Sequence, residues 1–184
     1  ALHAAGIATI GQALGGAEAG RLGARRSYIL MTAVPGEALE QSFQPFLDAH
    51  GLNSEPTRRL TDALADLVRR FHRAGFVHRD LYTPHIFLDG ASGDPALYMI
   101  DVARVFTPRR RRFRWQVKDL AQLKYSAPRG WIDAYWDHFL TDYLAGRERH
   151  RARYERAVDF KAALIARHDR HLRHRRGLEI FEQS

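Results

Sequence analysis

The chain has 184 residues, a formal net charge of +8 at pH 7, 45% hydrophobic residues and no cysteine. The hydrophobic content is enough for a packed core and excludes a wholly disordered chain, and the lack of cysteine excludes disulfide scaffolds, thiol catalysis and cysteine-ligated zinc. Its apolar runs are too short to span a bilayer, and because it begins Ala1-Leu2-His3 without Met or a signal segment, we expect a fragment of a soluble protein.

The N-terminal region is predicted to contain two strands. The segment from Ile7 to Leu14 predicts a short strand, and the glycines between positions 15 and 23 predict turns after it. Residues 27–34 form a mostly apolar run before Pro35-Gly36, which is typical of a buried strand that ends in a turn. A short helix is expected over residues 42–50.

The strongest helical pattern in the chain begins at Ser54. Ser54 and the nearby Pro56 are typical of a helix N-terminus. Apolar residues then recur at three- and four-residue spacing from Leu60 to Phe71, and Gly75 fits the position just after a helix end. The sequence therefore predicts a long amphipathic helix over this segment.

A hairpin and further helices follow. Strands are predicted over residues 85–88 and 96–100, with a turn over 89–95. From Gln116 to the end the pattern is helical, and the aromatic stretch 131–144 is expected to pack in the core. Strands, helices, a central hairpin and more helices define an α+β fold class in which helix predominates.

Two carboxylates of this arrangement are expected to face one pocket. Asp80 lies in the loop between the long helix and the hairpin, and Asp101 follows the second hairpin strand. A hairpin brings the end of one strand beside the start of its partner, so Asp101 is expected near His85. Two carboxylates and an imidazole in one place can orient a hydroxyl and hold a divalent cation between phosphate oxygens.

The residues around Asp80 resemble the catalytic loop of protein kinases. His78-Arg79-Asp80-Leu81 matches the H-R-D-L pattern, although Tyr82 stands where Lys is usual and His85 stands where Asn is usual. The string H-R-D-L-Y-x-x-H, the hairpin and Ile100-Asp101 resemble the lipopolysaccharide kinase family, which comprises bacterial inner-core heptose and Kdo kinases. Residues 114–126 are similar to the same family.

The resemblance covers about residues 27–126 and implies a protein-kinase-like fold. Residues 1–34 would be a remnant of the small lobe with the hinge strand, so that two strands of an incomplete small lobe remain. Residues 35–184 would be the large lobe, mainly helical with a catalytic hairpin. A Gly-rich phosphate loop and the strand Lys of kinases are absent, since no Lys precedes Lys118. The chain would then begin near the end of the small-lobe helix, and the fragment alone is expected to be inactive and to bind ATP weakly. A Gly-rich strand pair and a Lys upstream of Ala1 would favour a kinase, and an initiator Met directly before Ala1 would favour a non-catalytic binding module.

The activity that the resemblance implies is ATP-dependent phosphotransfer to a sugar hydroxyl of the lipopolysaccharide inner core. Asp80 would accept or orient the hydroxyl proton, Asp101 would ligate Mg²⁺, and His85 would be a second group on the metal or phosphate side. Asp119 resembles the helix aspartate that braces the catalytic loop in this fold. The residues implied to contact the adenine and ribose are Thr32, Val34 and Glu37.

The implied partner is an anionic glycolipid acceptor, the lipopolysaccharide core, and nucleic acid is not expected. The implied location is the cytoplasm, peripheral to the inner face of the bacterial inner membrane. An aminoglycoside-type kinase fits less well, because that class usually carries H-G-D followed by Asn, whereas this chain has Arg79 and His85.

A different class of function also follows from the charge distribution. Between Arg104 and Arg176 there are 20 basic and 8 acidic residues, a local balance of +12. A field of this sign favours anionic partners, so the alternative hypothesis is a catalytically inactive kinase-like module that binds anionic lipid or other polyanions. The run Arg109–Arg112, which is followed by Phe113 and Trp115, is predicted to dock an anionic acceptor; a solvated loop is the competing interpretation.

Overall fold

The computed structural model describes residues 2–9, 12–19, 25–90 and 94–182, with side chains for 2–9, 32–90 and 94–172. The described strands are β1 (Gln12–Ala19), β2 (Arg25–Met31), β3 (Glu37–Ala38), β4 (Ile86–Asp89) and β5 (Ala96–Met99). The described helices are α1 (Leu39–His50), α2 (Glu55–Arg73), α3 (Arg112–Ser126), α4 (Arg129–Tyr143) and α5 (Arg151–Glu182). This mostly helical arrangement with a small antiparallel sheet agrees with the predicted α+β class.

Helix α2 forms where the amphipathic pattern predicts it. The Ser54 hydroxyl accepts a hydrogen bond from the Thr57 backbone N–H at 3.2 Å, which caps the helix N-terminus. The helix ends before Gly75, whose φ of +99° is unfavourable for other residues. Its apolar face is buried, and each fully buried leucine contributes about 1.5–3 kcal/mol. The buried apolar residues are Leu60, Leu64, Ala65, Leu67, Val68 and Phe71.

The predicted hairpin is present and forms the centre of a three-stranded sheet. Strand β4 pairs antiparallel with β5, from Ile86 opposite Met99 to Asp89 opposite Ala96, and β3 pairs with the other edge of β4. The Ile100 N–H donates to the His85 carbonyl at 2.9 Å, so the ladder brings the two strand ends together. Sequence patterns do not predict β3, because two residues are too few to show an alternation.

Gly36 allows the chain to approach this sheet closely. Its φ is +77°, and a Cβ built at this position would lie 2.0 Å from the Leu88 carbonyl oxygen. A side chain there would displace β3 from β4, and for this reason glycine is required at the entrance to the sheet.

The N-terminal strands differ from the prediction. Strand β1 pairs antiparallel with β2, and it runs through Gly15 and Gly16, where turns were expected. Pairing with a partner strand outweighs the weak strand propensity of glycine. Of the expected strand 7–14, positions 10 and 11 lie outside the described residues, as do Gly20 and Gly23. Thr9 instead bridges to Met99 of β5. The predicted boundary between the small-lobe remnant and the large lobe, after residue 34, stays a prediction.

The core lies between α2, α4 and the sheet, and the aromatic stretch contributes to it as expected. Trp131 is fully buried, packs against Phe43 at 5.3 Å between ring centroids, and donates its indole N–H to the Thr61 hydroxyl at 2.9 Å. Helix α3 begins at Arg112, one turn earlier than predicted. Within the described residues, no helix is both long and apolar enough to cross a membrane.

Candidate active site

The loop that carries Asp80 is held in place by the side chain of Asp119 on α3. Asp119 is fully buried, and its two carboxylate oxygens accept the backbone N–H groups of His78 and Arg79 at 2.7 and 2.8 Å. The His72 imidazole lies 3.2 Å from the same carboxylate and 2.8 Å from the Tyr143 hydroxyl. The contact implied for Asp119 is therefore present, and it ties the loop to both α2 and α3.

Arg79 gives the loop its sharp bend. Its φ is +76°, a left-handed conformation that costs a non-glycine residue about 1–2 kcal/mol. Its guanidinium packs over the rings of Phe106 and Trp115, 5.7 and 5.6 Å from their centroids. The backbone bonds to Asp119 and these ring contacts offset the strain of the bend that immediately precedes Asp80.

The Asp80 carboxylate lies between two cations. One oxygen accepts a hydrogen bond from the Arg104 guanidinium at 2.6 Å, and the other lies 3.7 Å from the Lys118 ammonium. Lys118 also donates to the Arg79 carbonyl. Burial lowers the pKa of Lys118, and the nearby Asp80 charge partly opposes this effect. The Asp80 side chain is only 22% exposed, so water screens its attraction to the two cations less than it would at an open surface.

His85 contacts the backbone of Asp80 and lies near the carboxylate of Asp101. Its Nδ1 lies 2.6 Å from the Asp80 backbone carbonyl, which can only accept, so Nδ1 carries the proton. Its Nε2 lies 3.9 Å from the nearer carboxylate oxygen of Asp101. Asp101 is 49% exposed and has a φ of +51°, which aspartate tolerates better than most residues. Asp80, His85 and Asp101 therefore lie close together at the end of the hairpin, and we call this group of residues the mouth.

His78 lies beneath this mouth and supports it. Its Nε2 lies 2.9 Å from the Ile100 carbonyl, and its ring stacks on that of His85 with 5.8 Å between centroids. Burial lowers the pKa of His78, so the ring is neutral at pH 7. Its contacts fit a packing role between the loop and the hairpin.

The predicted nucleotide contacts lie in the segment that links the two sheets. Thr32 is exposed and Val34 is half-buried in that segment, and Glu37 belongs to β3, opposite Leu88. Their roles stay predictions.

Part of the predicted acceptor dock has a different role. The Arg112 side chain donates to the carbonyls of His72 and Arg73 at the end of α2, which leaves the exposed residues Arg109–Arg111 as the remaining part of the predicted dock. Carbonyls at the end of a helix attract a cation, and α3 begins at Arg112, so this residue joins the two helices.

Lys118 and Arg104 are site residues that the sequence analysis did not assign. Lys118 is one of only three lysines in the chain and directly precedes Asp119, and Arg104 lies three residues after Asp101. The scarcity of lysine and this adjacency are the sequence signals that could have identified Lys118. No local pattern relates either residue to Asp80.

A braced H-R-D loop that faces an aspartate at the end of a hairpin defines the class of kinase-like proteins. Within this class, the chain belongs to the lipopolysaccharide kinase (Kdo/WaaP) family, which matches residues 1–143. It is 34% identical over 135 residues to the lipopolysaccharide core heptose(I) kinase WaaP of Pseudomonas aeruginosa. That match covers 68% of this chain and 48% of the relative, so the chain spans about half the length of this curated protein.

A solved structure supports the same assignment. The chain is similar to a structure described as WaaP in complex with acyl carrier protein, with a TM-score of 0.63 and 30% identity. The match covers 88% of this chain and 71% of the solved one. The predicted family is thus confirmed by sequence and by fold.

Proposed function

We propose that the full-length protein transfers the γ-phosphoryl group of ATP to a sugar hydroxyl of the lipopolysaccharide inner core. The observation that carries this proposal is the grouping of Asp80, His85 and Asp101 at the mouth. The His85 ring lies 2.6 Å from the backbone carbonyl of Asp80 and 3.9 Å from the carboxylate of Asp101. Kinase family membership supports the reaction type, and the curated relative, a core heptose(I) kinase, supports the acceptor class.

Asp80 is the proposed catalytic residue. Its carboxylate orients the acceptor hydroxyl and takes its proton during transfer. The Arg104 side chain is exposed, and when the nucleotide binds it leaves Asp80 and pairs with phosphate oxygens. One Asp80 oxygen is then free to bind the hydroxyl. Lys118 stays beside the other oxygen and stabilises negative charge that develops during transfer.

Asp101 and His85 are the proposed holders of Mg²⁺. The carboxylate of Asp101 is the kind of ligand that this hard cation prefers, and the Nε2 lone pair of His85 is a weaker second ligand on the same side. These two side chains would hold the cation on one side and would supply part of its ligand set. When bound, Mg²⁺ neutralises charge on the phosphate oxygens. Thr32, Val34 and Glu37 are the proposed adenine and ribose contacts.

Label transfer tests this function. Full-length protein is incubated with γ-labelled ATP, Mg²⁺ and core lipopolysaccharide from which phosphate has been removed. The expected result is label in the glycolipid together with an equal amount of ADP. Binding of the glycolipid without any transfer would refute the proposal and favour the inactive polyanion-binding module.

The outward face of α5 supports contact with an anionic membrane. Leu164, Arg167 and Arg170 line a shallow groove there, together with two histidines. The acidic residues Asp159 and Asp169 point instead to α3, where they bind Lys124 and Tyr125. A helix face that mixes basic and apolar side chains is typical of interfacial binding, so we propose a peripheral position on the cytoplasmic face of the inner membrane.

Vesicle co-sedimentation tests this membrane contact. Full-length protein is expected to sediment with phosphatidylglycerol vesicles and not with phosphatidylcholine vesicles. The double variant Arg167→Glu/Arg170→Glu should lose most of this binding, because each basic residue near an anionic surface contributes about 1 kcal/mol. Undiminished sedimentation of the variant would contradict the assignment of this face.

Replacing Lys118 by Met is expected to lower kcat about 10²-fold, because the cation beside Asp80 is lost. Lys118→Arg should recover part of the rate. Since the Lys118 pKa is lowered, its charge is lost as pH rises through that value, so kcat should fall at alkaline pH. In Lys118→Arg this fall should move to higher pH, because arginine stays charged. The measurement is kcat against pH.

The matched control is Lys124→Met. Lys124 pairs with Asp159 at 2.5 Å, away from the mouth, so its loss should leave kcat and the pH profile unchanged. An equal fall in kcat for both variants, or a pH profile that is the same in Lys118→Arg and the wild type, would refute the role of Lys118.

A further inference from the structure

A cleft lies between α3 and α5, and Lys118, which is close to Asp80, forms part of its lining. Its volume is about 480 Å³, within the range of about 300–1,000 Å³ that is usual for small-molecule sites. Lys118 lines the cleft and also lies 3.7 Å from the Asp80 carboxylate. A molecule seated in the cleft therefore reaches the catalytic loop without crossing another element.

The charge of the cleft is entirely positive. Its lining includes Arg79, Arg114, Lys118 and Lys161, and it includes no carboxylate. Among the described side chains, Arg114 and Lys161 have no acidic group within ion-pair distance. Among the described residues, the buried Nε of Arg79 also has no hydrogen-bond partner. Lys118 pairs with Asp80, which does not line the cleft, and Arg114 and Lys161 have no such partner among the described side chains, so the lining favours an anionic ligand.

The walls between these cations are aromatic. Phe113, Trp115 and Phe160 line the cleft, and Phe160 is 69% exposed although it is a large apolar residue. Trp115 is held against Phe106 in an edge-on contact, with 5.2 Å between ring centroids. Flat apolar walls with cations at the edges fit a ring-shaped molecule that has apolar faces and carries negative charge, as an acidic or phosphorylated sugar does.

We propose that this cleft is the acceptor subsite, and that it binds the carboxylate or phosphate group of a sugar next to the one that is phosphorylated. The proposal rests on the proposed function for the identity of the acceptor. Arg114 and Lys161 bind the anionic group, the aromatic walls hold the sugar ring, and Lys118 connects the subsite to Asp80. The exposed run Arg109–Arg111 lies before α3 and does not line this cleft.

Lysine footprinting tests the site without any need for catalysis. Two lysines of this region, Lys118 and Lys161, line the cleft, whereas Lys124 lies outside it. Full-length protein is acetylated in the presence of a core oligosaccharide, and modification of each lysine is followed by peptide mass spectrometry. At ten times the dissociation constant, acetylation of Lys161 should slow about tenfold by mass action, and that of Lys124 should not change.

Four probes identify the ligand chemistry. A dephosphorylated core oligosaccharide carries carboxylates alone, a phosphorylated one adds phosphate, and a neutral oligosaccharide of the same length carries no charge. ATP with Mg²⁺ is the fourth probe and reports whether the cleft is a nucleotide site. Protection of Lys161 by the charged sugars alone supports the proposal, and the stronger of the two identifies the anionic group. Protection by the neutral sugar or by ATP, or no protection at all, would overturn it.

Kinetic variants provide a second readout. Arg114→Gln and Lys161→Gln should each raise the KM for the acceptor about tenfold, the effect of losing one charge-assisted hydrogen bond, with kcat and the KM for ATP unchanged. The exposed Arg129→Gln is the control and should match the wild type. A rise in the KM for ATP would refute the subsite. Protection of Lys161 without phosphate transfer would leave the cleft standing and refute the proposed function.

Discussion

Replacing Asp80 by Asn is expected to slow phosphate transfer about 10²- to 10⁴-fold, the usual contribution of a general base. The amide has the size of the carboxylate but does not take up the hydroxyl proton. It also leaves Arg104 and Lys118 without the negative charge between them. The measurement is the single-turnover rate of label transfer from ATP to core lipopolysaccharide by the full-length enzyme.

The fold is expected to survive this change. The Asp80 side chain makes ion pairs at the protein edge, and such pairs contribute little to stability, about 0–1 kcal/mol. The Tm of Asp80→Asn should therefore stay close to that of the wild type. Asp133→Asn, an exposed carboxylate on α4 paired with Arg129, is the matched control and should retain full activity. Transfer by Asp80→Asn at more than a tenth of the wild-type rate would contradict the catalytic assignment.

The parts of the fold that the sequence predicts are those governed by local rules. Helix α2 follows from its cap at Ser54 and its apolar spacing, and the hairpin follows from two apolar runs around a polar turn. The proximity of His85 and Asp101 then follows from hairpin geometry alone. Each of these inferences uses residues that are close in the chain, for which spacing determines contact.

The parts that the sequence does not predict depend on contacts between distant segments. Lys118 approaches Asp80 because α3 packs under the loop, and nothing near either residue indicates this. Arg112 lies in a basic run that looks like a dock, yet it binds the end of α2. Strand β1 passes through glycines because β2 supplies its hydrogen bonds. In each case a partner from elsewhere in the chain decides the outcome.

The role of Asp119 in holding the catalytic loop is known partly from the sequence and partly from the structure. The resemblance to kinases implies its role, and the structure identifies its partners, the N–H groups of His78 and Arg79 and the ring of His72. Because Arg79 adopts a left-handed conformation, the loop needs these bonds to hold its bend. The position of Asp80 thus depends on a carboxylate that does not touch the mouth itself.

Replacing Asp119 by Ala is therefore expected to lower the free energy of unfolding by about 3–5 kcal/mol, because it leaves a buried N–H group, a partly buried N–H group and a buried imidazole without their acceptor. For a chain of this size that corresponds to a fall in Tm of roughly 10 °C. Chemical denaturation and thermal unfolding of the full-length protein measure both quantities.

Asp119→Asn separates bracing from folding. The amide keeps one oxygen that accepts from the loop, but its NH₂ group faces the second backbone donor, so one of the two bonds to His78 and Arg79 is lost. Stability should fall less than in the alanine variant, while kcat falls further than stability accounts for, because Asp80 is no longer held in place. The KM for ATP should change little. Full kcat and an unchanged Tm in Asp119→Asn would show that the loop does not depend on this carboxylate.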